Sequence, residues 1–111
     1  MQNLQYFILF AGAWALINGI LHDIFVLKER RPFDRDLIRL LIDGHLLIFS
    51  GIFYFVSAKG ILQGEKTAFL ICIFNAFFLL GYCAFIFKIL RSFGTILINL
   101  IALIWLLVVF I

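Results

Sequence analysis

The sequence predicts an all-α integral membrane protein, an antiparallel bundle of four transmembrane helices, from its composition and from the lengths of its apolar runs. Of its 111 residues, 66% are hydrophobic and 14% are charged. A soluble domain is about 45–50% apolar and about 25% charged. A helix needs about 20 mostly apolar residues to cross the hydrocarbon core of a bilayer. We predict one domain, residues 1–111, with spans at 4–27, 37–58, 67–88 and 93–111.

The first span is rich in small residues and is predicted to pack closely against a neighbour. Ala11, Ala15 and Gly19 form small-xxx-small pairs, a spacing that lets a second helix approach. The run starts without a Lys or Arg and is longer than the apolar region of a signal peptide. We therefore expect residues 4–27 to remain as a membrane span.

The connections between the spans carry residues typical of helix ends. Asp34 is predicted to cap the second helix, and Asp36 would stabilise the positive end of its dipole. Gly60 is the predicted first residue beyond that helix. Residues 89–93 are a very short link in which Ser92 can cap the fourth helix. Links this short place consecutive helices side by side and antiparallel.

Both cysteines, Cys72 and Cys83, fall within the third span. At the helical rise they lie about 16 Å apart along one helix. A disulfide needs Cα atoms within about 7 Å of each other. We therefore expect two buried free thiols.

The distribution of Lys and Arg predicts the orientation in the membrane. Cytoplasmic connections carry an excess of these residues. One side of the predicted bundle has only Lys59 and Lys66. The other has seven, so we place it in the cytoplasm of a bacterial inner-membrane protein with both termini outside; the seven are Lys28, Arg30, Arg31, Arg35, Arg39, Lys88 and Arg91.

Each predicted span has one face that gathers its small and polar residues. Without water, such faces turn toward other helices rather than toward lipid. We therefore expect a polar bundle interior and an exterior of Phe, Leu and Ile. The four faces comprise Ala11, Ala15, Asn18 and His22; Asp43, Ser50, Tyr54 and Ser57; Ala68, Cys72, Asn75, Leu79 and Tyr82; and Ser92, Thr95, Asn99 and Ala102.

Polar side chains from all four helices lie at similar depth in the cytoplasmic half. Most are about 7–13 Å from the cytoplasmic helix ends at the helical rise, and Asn75 is nearer the midplane. We predict a ligand-binding layer from these residues, although Asn and Tyr side chains also serve as interhelical contacts. The candidates are Asn18, His22, Asp43, His45, Asn75, Tyr82 and Asn99, together with Tyr54 on the inward face of the second span.

Asp43 and His22 are the strongest candidates because acidic and basic groups inside a membrane are functional by default. Their depths differ by only about 2 Å, so the two could interact within one layer open to the cytoplasm. Burial favours a protonated Asp43, whereas Arg39 one turn earlier favours the carboxylate, so both charge states stay open. Asp23 points about 100° away from His22, and we expect it to be solvated near the headgroups.

His45 does not share the face of Asp43. Two residues turn an ideal helix by about 200°, which leaves the two side chains about 160° apart. Either His45 meets another protomer or a flanking helix, or Gly44 marks a π-bulge that brings the two together. Such bulges recur at functional sites.

Three functional hypotheses follow from this layer. In the favoured one, the protein binds or passes a small molecule or a proton, as a carrier, channel or receptor. In the second, it is a haem or metal redox protein with His22 and His45 as ligands and with Gly19 and Gly44 making room. In the third, it is a scaffold or assembly factor without catalysis. No P-loop, dinucleotide or hydrolase motif is present, and the histidine and cysteine spacings fit no zinc motif.

The expected partners are the lipid bilayer, a small-molecule ligand and a second copy in a homodimer. The net charge of +3 is accounted for by topology and anionic headgroups, so no nucleic acid is expected. In architecture alone, the layout resembles small bacterial membrane proteins of the DoxX-like kind. That resemblance implies a four-span layout and no residue roles.

Overall fold

The computed structural model describes residues 2–30, 32–85 and 93–111, which form four helices. Helix α1 covers Gln2–Lys28, α2 covers Arg35–Leu62, α3 covers Lys66–Phe85 and α4 covers Phe93–Phe110. All four are long and apolar enough to cross a membrane. The described part of the chain therefore confirms an all-helical fold with four candidate spans. The last three residues of the predicted span 67–88, and the cap predicted at Ser92, lie outside the described residues.

Helix α2 begins as predicted and ends later than predicted. The backbone N–H of Leu37 donates to the Asp34 carboxylate at 3.0 Å, so the predicted cap is confirmed. The prediction of Gly60 as the first residue beyond the helix is wrong, because α2 continues to Leu62. The left-handed residue is Gly64, with φ 73°. The absence of a side chain at Gly60 instead lets α3 pack closely against α2, because a Cβ there would lie 2.6 Å from the Cβ of Ala68.

Within the described residues, α1 and α2 share the most extensive contact between helices, and two pairs of glycines lie in it. A Cβ added at Gly19 would lie 2.6 Å from the carbonyl oxygen of Gly44, and one added at Gly51 would lie 2.6 Å from that of Gly12. In each helix the two glycines are seven residues apart, or two turns, so both face the same neighbour. Residues later in α1 thus meet residues earlier in α2.

The interior contains the small and polar faces predicted for the four spans. Asn18, His22, Asp43 and Tyr82 are partly buried at one end of these faces. Both cysteines are buried, as predicted, and neither forms a disulfide with another described residue. Large apolar side chains cover the exterior. The buried members are Ala11, Ala15, Ser50, Tyr54, Ser57, Ala68, Cys72, Asn75, Leu79, Thr95, Asn99 and Ala102.

Helix α4 is attached to α1 by a tryptophan. The Nε1–H of Trp14 donates to the Thr95 hydroxyl at 3.0 Å. A Cβ at Gly94 would lie 2.6 Å from the Trp14 ring, so the glycine makes space for the indole. Nearer the other end of the two helices, the rings of Phe7 and Trp105 lie 5.7 Å apart.

Candidate functional site

The predicted layer is divided among three pairs of helices by its side-chain contacts. His22 and His45 both approach Asp23, between α1 and α2. Asp43 is bonded to Tyr82, between α2 and α3. Tyr54 is bonded to Asn99, between α2 and α4. The two remaining candidates bond to backbone carbonyls, Asn18 to that of Trp14 and Asn75 to that of Ser50.

Asp23 is the carboxylate that the two histidines share. The Nδ1 of His45 lies 3.0 Å from Asp23 Oδ2, and the Nδ1 of His22 lies 3.8 Å from Oδ1. The Asp23 side chain is only 13% exposed, so the prediction of a solvated carboxylate is wrong. The reason is Gly44, where a Cβ would overlap the Asp23 carboxylate. The close approach of α1 and α2 encloses Asp23 between them.

His45 faces the flanking helix α1 rather than the face of Asp43. Helix α2 is a continuous α-helix through Gly44, so the alternative of a π-bulge is wrong. Among the surroundings predicted for His45, contact with a flanking helix agrees with the structure. Its side chain is 56% exposed, so the rest of the ring lies on the outer surface of the bundle.

Asp43 contacts α3 through Tyr82, whose hydroxyl donates to Asp43 Oδ1. The ring of Phe78, one turn earlier on α3, stacks on that of Tyr82 with centroids 5.7 Å apart. Asp43 and His22 therefore engage different partners, although their depths match. Equal depth brings two side chains together only where both face a common centre, and in the structure the Asp43 side of α2 turns toward α3.

Tyr54 and Asn99 form a buried pair near the centre of the bundle. The Tyr54 hydroxyl donates to Asn99 Oδ1 at 2.5 Å, and Asn99 Nδ2 donates to the carbonyl of Thr95 at 2.8 Å. Both side chains are almost fully buried. The hydrogen bond between Tyr54 and Asn99 thus holds α2 and α4 together, which is the usual role of such residues between membrane helices.

An apolar groove of about 580 Å³ lies between α2 and α3. At its floor the Asn75 side-chain amide donates to the backbone carbonyl of Ser50 at 2.9 Å. The Asp43–Tyr82 pair lies about one helical turn beyond the Leu46–Phe78 end of the groove. The lining residues are Leu46, Phe49, Ser50, Phe53, Thr67, Leu70, Ile71, Phe74, Asn75 and Phe78.

The small and polar faces did not predict this groove, although the spacing of phenylalanines in the sequence is a signal for it. Phe49 and Phe53 are four residues apart on α2, and Phe74 and Phe78 are four apart on α3. Residues at this spacing lie on one helix face. A polar residue directly follows the first phenylalanine of each pair, so each apolar stripe borders a hydrogen-bonding group.

The geometry between α1 and α2 does not fit a haem. Gly19 and Gly44 were expected to make room for a macrocycle between His22 and His45. They instead bring the two backbones into contact, and both imidazoles approach one carboxylate. Within residues 2–30, 32–85 and 93–111, no group of three or more His, Cys, Asp and Glu is placed to hold a metal ion.

No family model, curated protein or solved structure matches this chain.

Proposed function

We propose that this protein is an integral membrane protein that takes a small apolar or amphiphilic molecule from the bilayer into the groove between α2 and α3. The groove itself carries the proposal. Its volume of about 580 Å³ lies within the roughly 300–1,000 Å³ of small-molecule sites, which are mostly apolar with a few placed polar groups. Ser50 and Asn75 are such groups at its floor.

The rim of the groove supports entry from the side, through lipid. Phe53, Phe74 and Phe78 line it and are largely exposed. In a bilayer these rings contact hydrocarbon, so a ligand dissolved in the membrane would reach the site without crossing water. A ligand with one polar end would place that end toward Asp43 and Tyr82, whose carboxylate and hydroxyl can exchange hydrogen bonds with it.

The proposed membrane arrangement is an antiparallel bundle with both termini outside the cytoplasm of a bacterial inner-membrane protein. Contacts at two heights along three pairs of helices support the antiparallel directions. Between α1 and α2, Gly12 meets Gly51 whereas Gly19 meets Gly44. Ser50 meets Asn75 and Asp43 meets Tyr82 between α2 and α3, and Phe7 meets Trp105 and Trp14 meets Thr95 between α1 and α4. The excess of Lys and Arg near the Asp43 end supports a cytoplasmic location for that end.

A photoactivatable fatty acid tests the proposal in lipid nanodiscs. After illumination, mass spectrometry maps the modified residues. Phe74 lines the groove and is 70% exposed, whereas Val56 is on α2, outside the groove, and is 74% exposed. Binding predicts saturable labelling around Phe74 that exceeds labelling around Val56 by about fivefold or more. Equal, non-saturating labelling at both positions would mean that the probe only samples the lipid-facing surface.

Filling the groove provides a second arm of the same experiment. Ile71 lines the groove, and Ile104 on α4 is a similarly exposed isoleucine elsewhere. Ile71→Trp should reduce labelling around Phe74 severalfold because the larger ring occupies the binding volume. Ile104→Trp should leave it unchanged. A scaffold without a ligand site predicts no difference between the two variants.

A further inference from the structure

The groove between α2 and α3 has one polar position between its ends, where Ser50 and Asn75 lie side by side. The Asn75 side-chain amide donates to the backbone carbonyl of Ser50 at 2.9 Å. Both residues line the groove, and their exposed fractions are only 3% and 8%. The other described side chains that line it are aliphatic or aromatic, apart from Thr67 at one end. The apolar floor is therefore interrupted by a buried polar pair.

The bond between Asn75 and Ser50 leaves one acceptor and one donor of this pair unused. A carbonyl oxygen only accepts, so the Asn75 atom that faces it is Nδ2, and Oδ1 is the unused acceptor. The unused donor is the Ser50 hydroxyl. Neither atom has a hydrogen-bond partner among the described residues, and neither is sealed inside the protein. Both can therefore bond to a molecule in the groove, where lipid supplies no water to satisfy them.

We propose that the molecule bound in this groove carries a hydroxyl group partway along its apolar chain, which donates to Asn75 Oδ1 and accepts from the Ser50 hydroxyl. A hydroxyl both donates and accepts without carrying a charge. A ketone at the same place would only accept and would leave Oδ1 without a donor, and a methylene would leave both atoms unbonded. The inference rests on the proposed function and names its ligand class, a long-chain secondary alcohol with a polar end.

The spacing of the two polar pairs between α2 and α3 gives the position of this hydroxyl along the chain. Asp43 precedes Ser50 by seven residues, and Tyr82 follows Asn75 by seven. The pairs are therefore about 10 Å apart along both helices. An extended chain advances about 1.1–1.2 Å per bond, so the hydroxyl belongs about nine bonds from the polar end. Thr67 lies eight residues from Asn75, so the groove continues about 12 Å past the hydroxyl.

Competition against the photoactivatable fatty acid tests the inference with the unmodified full-length protein in nanodiscs. The competitors are octadecane-1,10-diol and octadecane-1,2-diol, which contain the same atoms and a neutral polar end. Only the first places a hydroxyl at the Ser50–Asn75 pair. Two hydrogen bonds between groups in a membrane correspond to about a tenfold difference in affinity. We therefore expect the 1,10-isomer to halve the labelling around Phe74 at about one tenth of the mole fraction that the 1,2-isomer needs.

The outcomes separate this inference from the proposed function. Saturable labelling around Phe74 that both isomers displace equally, or that the 1,2-isomer displaces better, would overturn the inference and leave the groove as a binding site. Labelling that does not saturate would overturn both. The ketone analogue, 1-hydroxyoctadecan-10-one, should be a weaker competitor than the 1,10-diol because it cannot donate to Asn75 Oδ1. A ketone as strong as the diol would overturn the choice of a hydroxyl.

Ser50→Ala tests the assignment to this pair. It removes the hydroxyl and keeps the backbone carbonyl to which Asn75 donates, so the preference for the 1,10-diol should fall to about threefold, the share of one hydrogen bond. Ser57→Ala is the matched control, because Ser57 is also a buried serine of α2, 5% exposed, and does not line the groove. It should keep the tenfold preference. An undiminished preference in Ser50→Ala would overturn the assignment, and the comparison of isomers on the unmodified protein decides the inference even if that variant fails to fold.

Discussion

At the residue scale, the missing side chain at Gly44 determines which acidic group His45 meets. Asp43 is two positions away on the same helix, yet it points toward Tyr82. Asp23 comes from α1 and reaches His45 because nothing at position 44 obstructs its carboxylate. The sequence showed that Asp43 and His45 diverge around α2, but it did not show that a glycine between them would admit an acid from the neighbouring helix.

Gly44→Ala should therefore destabilise the protein. The added methyl group would displace Asp23 or separate α1 from α2, and overpacking of this kind costs about 1–3 kcal/mol. Gly81→Ala is the matched control because a Cβ there meets nothing within 4 Å. The free energy of unfolding in mixed detergent micelles should fall for the first variant and not for the second. Equal values for both would show that the contact at Gly44 is not tight.

Tyr54→Phe tests the buried bond to Asn99. Loss of the hydroxyl leaves Asn99 Oδ1 without this donor, and hydrogen bonds between membrane helices contribute about 0.6 kcal/mol on average and about 1.7 at most. We expect a loss in that range in the same unfolding measurement. Tyr6→Phe removes a hydroxyl that accepts from Gln2 on the exposed surface and should have no effect. A ligand-binding role without a structural one would leave Tyr54→Phe as stable as the unmodified protein.

At the element scale, local physics predicted the helices and their inward faces well. Span lengths, the Asp34 cap and the faces of α2, α3 and α4 follow from hydropathy and helical periodicity, which do not require knowledge of the neighbour. The partner of each face could not be predicted in the same way, because it depends on how each helix is rotated in the bundle. The seven-residue spacing of Gly12 and Gly19, and of Gly44 and Gly51, was the sequence signal for the α1–α2 contact.

The end of α2 gives a prediction at this scale. Gly64 has φ 73°, a left-handed conformation that costs a residue with a Cβ about 1–2 kcal/mol. Gly64→Ala should lower the free energy of unfolding by about that amount. Gly64→Asn should lower it less, because asparagine adopts this conformation more readily. A larger loss for Asn than for Ala would contradict the assignment of strain to the backbone.

At the scale of the whole molecule, topology and assembly stay predictions. Glu29→Cys should react with a membrane-impermeant thiol reagent only from the cytoplasmic side, and Gln63→Cys only from the outside. Cys72 and Cys83 are buried and should not contribute. Labelling of the two positions from the opposite sides would reverse the proposed orientation.

We also expect a C₂ homodimer, the commonest closed oligomer. A single bundle of this size encloses little interior, and the His45 ring lies on its outer surface. Light scattering of the purified protein in two mild detergents should give twice the mass of one chain. The mass of one chain in both detergents would contradict the expectation.

The central claim, that a bilayer molecule occupies the α2–α3 groove, is tested most directly by tryptophan quenching with a brominated fatty acid. In a Trp14→Phe/Trp105→Phe background, Phe74→Trp places the fluorophore in the groove, and Phe25→Trp places it on α1 at a similar exposure, since Phe74 is 70% and Phe25 is 63% exposed. Occupancy of the groove predicts that quenching at position 74 saturates at a low mole fraction of the brominated acid. Quenching at position 25 should rise in proportion to that fraction. The same proportional rise at both positions would contradict the claim.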